Sequence, residues 1–471
     1  MASRPQSTHE LQTKTLDVSV EIKNNLMTLT GNTSKDAKEA AILYFRQIFS
    51  GEEQNFEFFL DYEILIKSLL KYMQSQISFI ETEEKDNMRL LDAAWIITNI
   101  SCISNEQCHV IVENDAIKIL FDVALNSPRS SQLRAQAIWA LGNIAADCQV
   151  CKLDCRTIPI LELLADILMS KEYGRDAQVV RNIVWCSLNI IRGGIPNLSL
   201  VVVMELVRGC FETIKLFPQN TVITKDCLWT IAALADDMNS GRHIEVVTNQ
   251  PNLINYIFTL FHQDNVSYMH GCLRILGNIA TGNDRQTETV LSHPLFYETI
   301  LKALDSPLKY LNREAAWICS NVAAGNFEHV DSLFEDNLIL KHIMRGASDE
   351  ITDSKMQKEC LWTIANMLTA ASRERSSFLI AAGIITVFPY LLQSKDIRIV
   401  ERSVSCLRMI ITDHPHYIGY VMRTKMLERI EDVFLEMDQN LRTSKEHITI
   451  LMKDYTCKPA LPAHTFRLIR S

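Results

Sequence analysis

The stretch AIWALGNIAAD, Ala137–Asp147, decides how the chain is read. It sets Trp139 and Asn143 four residues apart, about one turn of a helix. An Asn inside a helix is costly, because its side chain offers the backbone other hydrogen bonds. Yet the pairing recurs. The chain has six tryptophans, Trp95, Trp139, Trp185, Trp229, Trp317 and Trp362, in the frames AAWIITNI, AIWALGNI, IVWCSLNI, CLWTIAAL, AAWICSNV and CLWTIANM. Successive gaps are 44, 46, 44, 88 and 45 residues, and no tryptophan falls outside the pattern. The gap of 88 is a doubled period whose middle holds CLRILGNI, with Arg274 in the Trp place.

A period near 44 suits armadillo-type repeats, which run about 40–47 residues in two or three helices. The unit around Trp185 reads as an amphipathic helix over Thr157–Leu168 with Pro159 in its first turn, then a polar turn KEYG. A longer helix RDAQVVRNIVWCSLNII follows, ended by Gly193 and Gly194 with Pro196 beyond. An isolated repeat cannot bury its apolar faces, so the repeats must stack. The prior of about 150 residues per domain therefore gives way to one continuous array. The expected fold is all-α, a right-handed superhelical solenoid of about ten armadillo repeats. The array should span residues 32–440, between a short N-terminal tail (1–31) and a C-terminal tail (441–471). SKDAKEAAILYFRQIFS (Ser34–Ser50) and DIRIVERSVSCLRMIIT (Asp396–Thr412) read as Trp-free units near the two ends, where atypical repeats are expected.

Composition narrows the function classes. A formal net charge of −9 argues against general nucleic-acid binding. MASRPQSTHE has no apolar core for a signal peptide. The uncharged stretch Phe378–Leu392 is shorter than the roughly 18 residues of a membrane span and is broken by Gly383 and Pro389. It reads as a helix end, a turn and the next helix start, so no membrane partner is expected. The 13 cysteines are odd in number and scattered through apolar segments, which suits free thiols in a reducing compartment. CQVCKLDC, with Cys148, Cys151 and Cys155, offers three thiols but no fourth ligand at a usual spacing. It reads as a thiol-rich helix junction, and neither a metal nor a cofactor is expected. His109, His262 and His270 have no recurring nucleophile or carboxylate partner, and no Gly-rich phosphate loop is present, so an enzyme is not expected.

Helical geometry divides the opening stretch into two stripes. Gln136, Trp139, Asn143 and Asp147 share one face; Ala137, Leu141 and Ile144 share another, about 200° away. The second stripe is an ordinary core face. The first carries amide, indole, amide and carboxylate, and resembles a ligand surface. Asn99, Asn143, Asn189, Asn278, Asn321 and Asn366 hold the same place in six of the seven frames. An Asn amide can donate and accept, so it can grip the backbone of an extended peptide. Indoles one repeat apart form slots for a Lys or Arg stem, with the charge at the ring face. Asp147, Asp226, Asp236, Glu314 and Glu359 are candidates to meet the charged head. One cation–π contact gives about 0.5–2 kcal/mol, while micromolar binding needs about 8, so several slots must act together.

These frames resemble the armadillo array of importin alpha, the adaptor for proteins with basic nuclear localisation signals. The resemblance covers residues 16–440 and is carried by QAIWALGNIAAD, RNIVWCSLNIIRGG and LRILGNIATGNDRQT, including Arg274 in the Trp-free sixth repeat. It implies two sites for Lys/Arg-rich signal peptides on the concave face. The major site would use Trp95, Asn99, Gln136, Trp139, Asn143, Asp147, Asn182, Trp185, Asn189 and Asp226. The minor site would use Glu314, Trp317, Asn321, Glu359, Trp362 and Asn366, with Arg274 and Asn278 beside it. Arg192 matches the basic residue that separates the two acidic surfaces. The resemblance also implies an export receptor at the C-terminal repeats and a location shared between cytoplasm and nucleus.

The chain departs from the pattern in places. Where the family has a small Ser-Gly turn and a Thr beside the key lysine, this chain has Cys102, Ile103 and Cys108, and Ala233 takes the fifth-repeat ladder position. An altered lysine pocket is expected. LDVSVEIKNN resembles the linker after the family's basic importin beta-binding segment, and only Arg4 and Lys14 precede it as basic residues. That segment looks absent, which makes importin beta a doubtful partner. The competing reading is an importin alpha-like scaffold or cargo-retention protein that no longer engages importin beta.

Overall fold

The computed structural model describes residues 8–51, 60–80, 87–173, 176–194, 197–237, 240–333, 337–348, 353–370 and 373–456. Of residues 8–18, Asp147 and 373–376 only the backbone is described. Among the described residues there are helices and no strands. The chain forms two compact units, residues 1–253 and 254–471.

In the first unit the helices run α1 (Thr8–Thr30), α2 (Lys35–Ser50), α3 (Tyr62–Gln76), α4 (Met88–Ile100), α5 (Asn105–Glu113), α6 (Ala116–Asn126) and α7 (Gln132–Asp147). There follow α8 (Gln149–Cys155), α9 (Ile160–Ser170), α10 (Ala177–Ile191), α11 (Leu200–Leu216), α12 (Thr221–Leu234) and α13 (Arg242–Asn249). The tryptophans sit on α4, α7, α10 and α12, and each of these helices packs on the next, with α2 against α4. Helices α3, α6, α9 and α11 lie behind this layer, and the short α5 and α8 touch each other beside it.

The second unit repeats the plan. It contains α14 (Leu253–Phe261), α15 (Val266–Ala280), α16 (Asp284–Leu291), α17 (Phe296–Leu304), α18 (Lys309–Ala323), α19 (Phe327–Leu333) and α20 (Leu338–Ser348). Then come α21 (Ser354–Ala370), α22 (Arg373–Ala381), α23 (Phe388–Leu391), α24 (Ile397–Asp413), α25 (Ile418–Thr424), α26 (Asp432–Met437) and α27 (Gln439–Thr456). Its continuous layer is α15, α18, α21 and α24. Each unit is thus an all-α stack of armadillo-type repeats.

Short polar side chains set where the long helices begin. Ser131, Asp176, Asn220, Asn265 and Asp396 each accept a first-turn backbone N–H at the start of α7, α10, α12, α15 and α24. Such a cap satisfies a donor that the helix itself leaves open. Helix α9 starts at Ile160 rather than Thr157, because Pro159 caps it from outside and the residue before a proline avoids helical geometry. Helix α10 ends as expected, with Gly193 and Gly194 at φ +89° and +135°. Phe378–Leu392 holds the end of α22, a left-handed Gly383 and the start of α23, with Pro389 in the first turn. Among the described residues no helix is long and apolar enough to cross a membrane.

Two expected boundaries shift. Residues 1–31 hold helix α1, which packs on α2 and α3 through buried Ile22, Leu26 and Leu29. Residues 441–456 belong to α27, which packs on α24 with Leu441 and Ile448 buried. Residues 457–471 lie outside the described part. In both helices, apolar residues spaced three, four or seven apart add a face to the stack, so neither segment is simply a tail.

Candidate peptide-binding face

The two stripes on α7 separate as helical geometry requires. Ala137, Leu141 and Ile144 are fully buried, each large side chain contributing about 1.5–3 kcal/mol of apolar burial. Trp139 is half-buried and presents part of its indole to solvent. Trp95, Trp185, Trp229, Trp317 and Trp362 are half-buried in the same way. Gly142 and Gly277 explain how two of the indoles sit so close to the preceding helix. A methyl built on Gly142 would lie 2.7 Å from Trp185 Cζ3, and one on Gly277 would lie 2.3 Å from Trp317 Cζ3. Only a residue without Cβ lets these rings in.

The Asn ladder has a structural job in holding the repeats together. Asn143 Nδ2 donates to Thr98 O (2.9 Å) and to Cys102 Sγ (2.7 Å). Asn189 Nδ2 donates to Gly142 O (3.3 Å), and Asn366 Nδ2 to Ser320 O (3.1 Å). Each reaches the residue just before the previous rung's Asn, so the ladder staples one Trp-bearing helix to the next. Gln136 does likewise, donating to Thr98 Oγ1 at 2.7 Å. Asn99 donates to Trp95 O in its own helix, and Asn182 Oδ1 accepts from Gln178. Asn278 is buried, while Asn321 has a buried Nδ2 without a partner. The expected grip on a peptide backbone by both ends of Asn143 is corrected: its donors are engaged, and its Oδ1 is the end left to accept.

Three of the indoles are already covered by the chain's own arginines. Arg46 Cζ lies 3.4 Å from the Trp95 ring centre. Arg274 lies 5.0 Å from Trp317, and Arg398 and Arg402 lie 5.1 and 5.4 Å from Trp362. Arg402 also donates to Asn366 Oδ1. Among the described residues no cation covers Trp139 or Trp185. The covering arginines stand on neighbouring helices outside the Trp frames, or, for Arg274, in the Trp place of the previous repeat. A helix-spaced pair such as Arg398 and Arg402 was the available sequence signal.

The carboxylates differ in what they can do. Glu314 is buried and paired with Arg274 and with His270 at 3.3 Å, so it does not form the open rim expected of it. Glu359 accepts from Ser320 Oγ at 3.1 Å, and burial raises its carboxyl above the usual range. Asp226 is half-buried on α12, and burial raises its carboxyl too, against the weaker pull of Lys225 and Arg181. Such a group gains from an incoming cation. Asp236 is exposed. The Asp147 side chain lies outside the described residues.

Cys102, Ile103 and Cys108 stand in different surroundings. Cys102 is exposed beside Asn143, and Ile103 is exposed at the end of α4. Cys108 is buried on α5 against Ile144 O, away from the Trp face. Arg192, exposed, caps α10, and Ala233 is half-buried on α12. CQVCKLDC does form a helix junction, α8, with Cys148 as its cap. Burial pushes the Cys148 thiol up, but hydrogen bonds from Cys151, the backbone and His109 outweigh it and bring the thiol down to about 7. His109, 39 residues upstream of Cys148, puts Nε2 3.1 Å from Cys148 Sγ.

Half-buried indoles, stapling amides and partly buried carboxylates recur on stacked helices and define a repeat scaffold. No family model matches the chain. Importin subunit alpha-1b of Oryza sativa subsp. japonica is 29% identical over 245 residues, covering 51% of this chain and 43% of that protein. Importin subunit alpha-5 of Arabidopsis thaliana is 28% identical over 341 residues, covering 71% and 62%. The chain thus spans about half the length of the curated relatives it matches. A crystal structure of an engineered protein superposes with a TM-score of 0.71 at 19% identity, over 93% of this chain and 99% of that one. The chain is an importin alpha-like armadillo protein.

Proposed function

We propose that the chain is an adaptor that binds Lys/Arg-rich localisation signals, in extended form, on the Trp face of its first unit. One observation carries the reading: Trp139 and Trp185 are half-exposed on packed neighbouring helices, and no described cation covers them. A lysine stem laid against either ring would gain cation–π attraction, with Asn143 Oδ1 accepting a peptide N–H. Asp226 supplies negative charge on α12. Likeness to importin alpha subunits supports the same ligand class, and a cytoplasmic and nuclear location with import cargo as partner.

The test is fluorescence anisotropy with a labelled lysine-rich signal peptide. Binding should be salt-sensitive, and combined Trp139→Ala and Trp185→Ala should weaken it at least tenfold, taking about 1 kcal/mol per ring. Absence of binding at low salt overturns the proposal.

A second reading is a cargo-holding scaffold outside the import cycle. The covering of Trp317 and Trp362 by Arg274, Arg398 and Arg402 favours it, because a closed minor site departs from a two-site adaptor. A direct pull-down with importin beta and with an export receptor separates the two readings: binding supports transport, and its absence supports retention.

A further inference from the structure

We infer that His109, Cys148 and Cys151, with Cys108 as the fourth donor, form a zinc site that ties α5 to α8 at the end of α7. The ligand atoms of His109, Cys148 and Cys151 all lie within 4.8 Å of one another, the one such cluster that includes a thiol pair among the described residues. A tetrahedral zinc with Zn–S near 2.3 Å and Zn–N near 2.0 Å needs donor atoms roughly 3.5–3.8 Å apart, so a small contraction suffices. Cys108, whose thiol sits against Ile144 O at 3.9 Å and interacts with Cys151, stands outside that mutual cluster, so its sulfur must turn inward to become the fourth donor when the metal binds. Cys₃His is a common structural zinc set.

Burial and access agree with this. Cys108, Cys148 and Cys151 are buried, while His109 is exposed and gives an ion a way in. The other thiols of the long helices differ. Cys186, Cys227, Cys272 and Cys319 are fully buried and act as small apolar residues of the stack. Binding is balanced as three Zn–S bonds formed while three thiol protons leave to solvent, and His109 ligates through a neutral Nε2. No oxidation is involved.

The site's position gives it a role. Helices α5 and α8 belong to successive repeats, and Cys148 directly follows Asp147, the last residue of the helix carrying Trp139 and Asn143. A metal here would fix the spacing of two rungs of the peptide face, although the inference itself stands without the peptide reading.

The experiment uses the full chain, reduced and metal-free, titrated with Zn²⁺ against a chromophoric chelator and separately with Co²⁺. One equivalent should bind, and Co²⁺ should give the intense visible bands of a tetrahedral site with thiolate charge transfer. Cys148→Ser should abolish the signal. His109→Ala, a change at an exposed residue that circular dichroism should show folded, should weaken binding by more than the roughly 10–100-fold that outer-shell changes cost. Cys102→Ser, removing the nearby exposed thiol, should leave it intact. Binding that survives His109→Ala at full strength, or no stoichiometric binding to the wild-type chain, overturns the inference.

Discussion

Removing Arg46 should tighten peptide binding. Its guanidinium sits 3.4 Å from the Trp95 ring centre, so a ligand lysine can use that ring only by displacing it. Arg46 also pairs with Asp92 (3.7 Å), a largely buried carboxylate that Arg89 contacts as well. Arg46→Ala therefore frees the ring without leaving Asp92 unpaired. A half-buried cation–π contact is worth about 0.5–2 kcal/mol, and a ligand taking over the vacated face recovers about 1 of it, a gain of roughly fivefold in affinity. The extra negative potential from Asp92 adds in the same direction and fades with salt. Anisotropy with a lysine-rich peptide long enough to reach Trp95 measures this, in a cycle with Trp95→Ala. Trp95→Ala alone should change little, and in the Arg46→Ala background it should erase the gain. Weaker binding by Arg46→Ala, or a gain that persists without Trp95, would refute the idea that the chain's own arginine occupies this slot.

Other outcomes follow from the same contacts. Gly142→Ala gains about 1 kcal/mol of helix propensity but places a methyl 2.7 Å from Trp185, an overpacking that costs about 1–3. Denaturant melts should show a net loss, and peptide affinity should fall with it. Asn143→Asp keeps an acceptor but sets it against Thr98 O, so it should destabilise the fold more than Asn143→Ala, which loses the staple alone, about 1–3 kcal/mol for a buried bond. Equal stability would remove the staple from the account. Burial raises the Asp226 carboxyl above its ordinary 3.8, so it protonates before exposed carboxylates as pH falls. Peptide affinity should weaken from above that range, and Asp226→Asn should flatten the profile. By linkage, stability contributed by that raised pKa is present at low pH and is lost as pH rises through it.

The period of the tryptophans made the fold legible, because stacked repeats force the same two faces onto every long helix. Core positions such as Leu141 and Ile144 could be read for the same reason, and so could the end of α10 at Gly193. What could not be read depends on contacts between repeats. His109 reaches Cys148 from the previous repeat, and ligand-spacing rules look only along the chain. Arg46 covers Trp95 from a helix that has no tryptophan to mark it. Helix α1 is the reverse case: Ile22, Leu26 and Leu29 carry a helical spacing, but no tryptophan frame marks the helix as part of the repeat.

The Asn ladder shows why recurrence alone overstates a binding site. A residue repeated at one place in every unit can answer to a ligand, or to the neighbouring unit, since both recur with the same period. Here the amide nitrogens of Asn143, Asn189 and Asn366 answer to the neighbour, each reaching the carbonyl just before the previous rung's Asn. That contact alone would favour Asn at each position. It does not explain why Trp95, Trp317 and Trp362 carry an arginine of the chain's own while none of the described residues covers Trp139 or Trp185 in that way. The proposed peptide face is therefore to be sought at the rings that the chain leaves uncovered. Two uncovered rings on adjacent helices, with Asp226 one helix further on, favour a short cationic segment over one that spans every repeat.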